Sequence, residues 1–133
     1  MDRQAQIDFI LDHYENPRCH GPLQGVTVTH RGTNPSCGDV ITFYLRVEPD
    51  ERVSAISFEG AGCTISQAAA SMVAEMLAGK TLADVAETSP DAILGLIGSE
   101  IASTRPKCAL LGLNTAKEAA RAARRDFRDS DDV

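Results

Sequence analysis

The sequence predicts one α+β domain, a small antiparallel sheet of about three strands packed against N-terminal, central and C-terminal helices. Three observations carry this. Two runs rich in β-branched and aromatic residues, 40–47 and 53–58, flank the turn residues Pro49, Asp50 and Glu51 and read as an antiparallel hairpin. Ile65, Ala68, Ala69, Met72, Val73, Met76 and Leu77 keep helical spacing over three turns. Strand-like segments come before helix-like ones instead of alternating with them, which argues against repeated βαβ units.

In chain order, Ile7, Ile10, Leu11 and Tyr14 mark a first amphipathic helix, stopped by Asn16-Pro17. A Gly- and Pro-rich loop follows over 17–25. Residues 26–30 read as a short strand with His30 facing out, and 32–38 as a turn. After the hairpin, Thr64 with Gln67 fits a capping box for the central helix, and Gly79 fits its end. Thr81 and Asp84 open another helix, and Ser89-Pro90-Asp91 a third with Pro in its first position. Residues 109–124 form the last helix. The domain is expected over 1–125, with 126–133 an acidic, frayed tail; there is no internal repeat.

A chain of 133 residues with 43% hydrophobic content is long enough to bury one real core. The net charge of -6 and the scattered acidic excess leave no basic footprint for nucleic acid. No apolar run approaches the ~20 residues that span a bilayer. The start, MDRQAQIDFI, has no signal-peptide core, so the expected compartment is the cytoplasm. Thiols stay reduced there, and the four cysteines, Cys19, Cys37, Cys63 and Cys108, point to metal binding or catalysis before a disulfide framework.

Cys37 and Asp39 stand where a turn enters a strand. Cys63 follows Glu59-Gly60-Ala61-Gly62 and precedes the central helix, and Cys108 opens the last one. A helix N-terminus stabilises a thiolate, which is both the metal ligand and the nucleophile. Gly38, Gly60 and Gly62 leave the backbone room to turn around the sulfurs. On residue types alone a shared metal site and simple packing of small thiols stand level. No CxxC is present, so neither a zinc ribbon nor a thiol oxidoreductase fits. Cys19 reads as a free thiol or filler, His13 as packing or capping the first helix, Met72 and Met76 as core, and Tyr14 as packing or partner surface.

NPSCGD (34–39), GAGC (60–63), the Lys107-Cys108 pair and HYENPRCHG (13–21) together resemble the U-type iron–sulfur assembly proteins IscU, SufU and the N-terminal domain of NifU. The resemblance spans nearly the whole chain and implies a SufE/NifU-like fold. It also implies a metal or cluster site of Cys37, Asp39, Cys63 and Cys108, with Arg105 and Lys107 as supporting cations. The implied cofactor is Zn2+ or, alternatively, iron as a [2Fe-2S] cluster. The implied partners are a cysteine desulfurase of SufS or IscS type and downstream apo iron–sulfur proteins or a scaffold. IscU-type proteins carry His before the third cysteine, whereas Lys107 here is similar to SufU, zinc-binding acceptors of persulfide sulfur. STRPK (103–107) replaces the chaperone-binding segment of IscU-type proteins, which argues against a dedicated chaperone pair. Yet the 44 residues between Cys63 and Cys108 (positions 64–107) match the shorter IscU spacing and lack the usual SufU insertion. The expected function is therefore sulfur transfer, with Cys37 or Cys108 as persulfide acceptor. An IscU-type scaffold is the alternative, and a structural zinc interaction module the alternative of another class.

Overall fold

The computed structural model describes residues 2–36 and 38–131. Helix α1 (Arg3–Glu15) starts at Asp2, whose side chain accepts the Ala5 N–H at 2.8 Å, and ends at Asn16, ahead of Pro17. Its buried positions are Ile10 and His13, while Leu11 and Tyr14 are 43% and 44% exposed. The expected stripe is thus rotated, because α1 packs on the central helix through a polar contact from His13 to Ser71.

Strands β1 (Val28–Asn34), β2 (Asp39–Val47) and β3 (Val53–Ala61) form an antiparallel sheet in the order β1-β2-β3. β1 ends four residues later than expected, and His30 lies on its half-buried side, opposite Phe43, instead of facing out. Gly32 explains the difference. A Cβ there would overlap the Thr115 hydroxyl of the last helix, so this glycine serves a close helix–strand approach and not a turn. Asp39, Ile41, Phe43, Leu45 and Val47 alternate onto the buried face of β2. Phe43 stacks on Phe58 of β3 with ring centroids 5.9 Å apart, both fully buried. Each such side chain contributes roughly 1.5–3 kcal/mol by leaving water.

Helix α2 (Thr64–Leu77) is buried on almost every side, with Ala68, Ala69, Ala70, Val73 and Ala74 at 0–1% exposure. Its small residues allow tight packing: Gly112 of the last helix passes so close that a Cβ there would sit 3.0 Å from Ala70 Cα. Helix α3 (Leu82–Ala86) begins at Thr81, whose hydroxyl accepts the Asp84 N–H, as expected. Helix α4 (Asp91–Ile97) has Pro90 one position earlier than expected, at the cap itself. Helix α5 (Ser99–Thr104) was not foreseen. Helix α6 runs from Pro106 to Asp131, longer at both ends than the 109–124 expected. Helices α2 and α6 lie together against the sheet, α1 covers α2, and α3 and α4 pack on α6. Among the described residues no helix is long and apolar enough to cross a membrane.

Candidate metal centre

The sheet register sets one end of the molecule apart. Asn34 ends β1 opposite Asp39, and Val40 lies opposite Ala61 at the end of β3. The chain leaves β3 through Gly62 and Cys63 directly into α2. The first turn of α6 brings Cys108 to the same place.

Asp39 occupies the first inward position of β2, and the pleat that buries Ile41 and Phe43 buries its carboxylate to 1% exposure. One oxygen, Oδ1, accepts the Cys63 backbone N–H at 2.8 Å. The other, Oδ2, lies 3.1 Å from Cys108 Sγ and 4.0 Å from Cys63 Sγ. Gly62 makes this approach possible. It has φ +141°, and a Cβ on it would run into Asp39, 2.9 Å from the Asp39 Cα. Its role is contact with the aspartate, beyond the room around the sulfurs expected from the sequence.

Cys63 is the N-cap of α2, and its sulfur accepts the Ser66 N–H at 3.5 Å. The expected capping box on Thr64 and Gln67 is therefore displaced by one position: Cys63 caps, and the Ser66 hydroxyl returns a bond to the Cys63 carbonyl at 3.0 Å. Burial pushes the Cys63 thiol up and the Asp39 charge adds to this. The backbone and hydroxyl of Ser66, with the neighbouring Cys108, more than offset both and hold it below its ordinary value. Cys108 is 1% exposed.

Asp39, Cys63 and Cys108 thus place one ligand atom each within 4.8 Å of one another. Bond lengths of about 2.3 Å to sulfur and about 2.1 Å to oxygen, at tetrahedral angles, put an oxygen and a sulfur about 3.6 Å apart on one zinc ion. The two observed separations, 3.1 and 4.0 Å, bracket that value. The donor set and its spacing fit a thiolate–carboxylate metal site. Cys37, the fourth member expected from the sequence, lies outside the described residues.

Arg105 and Lys107 are both exposed. With Thr104, Pro106 and Cys108 they line a cleft of about 340 Å³. Cys19 lies away from the centre in the loop after α1, at φ 54°, a left-handed backbone that Asn tolerates better. Its carbonyl accepts from Phe58 N–H in the middle of β3. Two groups at the centre were missed by sequence reasoning. Ser66 holds Cys63. The buried amide of Asn34 stands 3.9 Å from Cys108 Sγ. The NPSCGD motif contains Asn34, but its contact arises only when β1 pairs with β2.

The family model for the NifU-like N terminal domain matches residues 5–129. The chain belongs to this family. The iron–sulfur cluster assembly scaffold protein IscU 1 of Archaeoglobus fulgidus is 33% identical over 120 residues, covering 90% of this chain and 74% of that protein. The zinc-dependent sulfurtransferase SufU of Bacillus subtilis is 42% identical over 87 residues, covering 62% of this chain and 58% of that protein. Among solved structures, one described as a SUF-system iron–sulfur cluster assembly scaffold protein of Fervidobacterium islandicum has a TM-score of 0.70 at 29% identity, covering 85% of this chain and 94% of that one. The α+β architecture is that of the NifU-like family.

Proposed function

We propose that this NifU-like chain works in iron–sulfur cluster biogenesis as a zinc-binding sulfur-transfer protein. It accepts persulfide sulfur from a cysteine desulfurase and passes it toward apo iron–sulfur proteins. The observation that carries the reading is the Asp39 carboxylate. It is 1% exposed and faces two sulfurs with one oxygen. Burying a carboxylate beside thiolates costs several kcal/mol unless a cation joins them. An oxygen among sulfurs is the harder and weaker ligand for a borderline-soft ion, which suits a centre that exchanges a ligand rather than one that only braces the fold.

Cys37, Asp39, Cys63 and Cys108 are the proposed ligands, and zinc, when bound, keeps the thiols deprotonated at neutral pH. The acceptor thiolate, Cys37 or Cys108, attacks the sulfane sulfur of the partner's persulfide. The partner's S–S bond breaks, the partner leaves as a thiolate, and a new persulfide stands on this chain with no net oxidation. The cleft beside Cys108 gives an approach, and Arg105 and Lys107 on its wall suit an anionic persulfide.

A scaffold that assembles a [2Fe-2S] cluster on the same residues is the second reading. The resemblance to the Archaeoglobus protein and the short spacing between Cys63 and Cys108 favour it. Desulfurase turnover with the zinc-loaded protein and no iron separates the readings. Strong stimulation, lost in Cys37→Ser or Cys108→Ser, is the expected result and identifies the thiol. No stimulation, but cluster assembly once iron is added, establishes the scaffold. Neither response leaves a structural zinc module.

A further inference from the structure

Asn34 is the last residue of β1, directly opposite Asp39, and only 4% exposed. Its side-chain Nδ2 lies 3.9 Å from Cys108 Sγ, and its Oδ1 accepts the Ser36 hydroxyl at 3.0 Å. An amide this deeply buried costs roughly 1–3 kcal/mol unless its groups are paired. A metal-bound thiolate has no proton and can only accept a hydrogen bond. The NH2 end of the amide must therefore face Cys108 and its oxygen must face Ser36.

The two described sulfurs of the centre each receive an N–H, from different kinds of donor. Cys63 takes a backbone N–H at the N-terminus of α2, which no substitution of Ser66 removes except proline. Cys108 takes a side-chain N–H from another element, 74 residues away in sequence. Its environment is thus adjustable without disturbing a helix.

We propose that Asn34 is a positioning residue of the metal centre, donating its amide N–H to the Cys108 sulfur to orient it toward Asp39 and draw electron density from it. This rests on the metal-centre reading above. Groups that hydrogen-bond a metal ligand fix its rotamer and tune its donation, and losing one costs about 10- to 100-fold in metal affinity. The long N···S distance places Asn34 at the lower end of that range.

Cobalt(II) in place of zinc makes the effect visible, because thiolate-to-cobalt charge-transfer absorption reports how strongly the sulfur donates. Asn34→Leu keeps the branching and the number of heavy atoms, at a larger volume, and removes the donor. Ser36→Ala, at an exposed position, keeps the donor and removes the group that orients it. Asn34→Leu is expected to move the charge-transfer band to longer wavelength and to weaken zinc binding about 10-fold in a chelator competition. Ser36→Ala is expected to do the same to a smaller extent. Bands and affinities equal to wild type in the folded variants would overturn the proposal while leaving the metal centre standing. If Asn34→Leu does not fold, Ser36→Ala decides alone, and an unshifted band and affinity there count against Asn34. A wild-type protein without any thiolate-to-cobalt band would remove the metal-centre reading and this inference with it.

Discussion

The two oxygens of Asp39 face different groups, and that separates two effects of removing them. Oδ2 meets the sulfurs and Oδ1 holds the Cys63 backbone N–H at 2.8 Å. As a ligand, the carboxylate is the member most easily lost from the metal, so Asp39→Ala is expected to slow exchange of bound zinc or cluster. As an acceptor for a backbone donor it is worth roughly 1.5–3 kcal/mol, because it is charged and buried. In the metal-free form, though, no cation offsets the several kcal/mol that burying this carboxylate costs, and that cost outweighs the bond. The variant should therefore retain its metal longer in a chelator challenge and keep an equal or higher Tm when metal-free. Faster metal loss would show that Asp39 anchors the ion rather than making the site labile.

At the scale of elements, the centre is built where β3 passes into α2, and Gly62 is the joint. Its φ of +141° and the absence of a Cβ let Asp39 approach the turn. Gly62→Ala introduces about 1–3 kcal/mol of backbone strain. It also pushes a methyl group into Asp39, 2.9 Å from its Cα, where backbone cannot give way cheaply. We expect a folded core with markedly weaker zinc uptake, read by metal stoichiometry beside far-UV circular dichroism. Full uptake at wild-type affinity would show that the strand-to-helix turn has slack. Much of this junction was legible in the sequence, since two β-branched and aromatic runs flank turn residues and α2 has an apolar stripe at helical spacing. The cap was not, because a thiol replaces the usual hydroxyl and shifts the box by one residue. Helix α5 was hidden because Gly98 and STRPK carry loop chemistry, and the short helix depends on packing rather than propensity. The Asn34 contact with Cys108 was hidden for another reason: it joins the end of a strand to a helix 74 residues away. Local pattern carries no trace of such a pairing.

Across the whole molecule, the most telling departure from the sequence pattern is also a source of pH sensitivity. Helix α1 meets α2 through His13, 1% exposed, whose Nδ1 lies 2.7 Å from Ser71 Oγ. The same hydroxyl oxygen accepts the Arg18 backbone N–H at 2.9 Å, so one serine ties together α1, α2 and the loop leading to β1. A neutral imidazole can accept the Ser71 proton at Nδ1, and an imidazolium cannot. Burial, and then the positive charge of Arg18, hold the His13 pKa below its ordinary 6.5, while Glu75 and Asp12 oppose them. Because the folded-state pKa is lowered, the unfolded chain takes up the proton first as pH falls. The contribution of His13 is therefore complete above pH 6.5 and is lost as pH falls from there through the lowered folded-state value. The metal-free protein, in which acid does not also strip ligands, should show a falling Tm between neutral and mildly acidic pH. In His13→Gln, which keeps a polar partner for Ser71 but cannot titrate, that slope should be much reduced even if the Tm at neutral pH is lower. Parallel curves for the two proteins would mean that the packing of α1 on α2 does not discriminate between the charge states of His13. The acid sensitivity would then lie among the carboxylates.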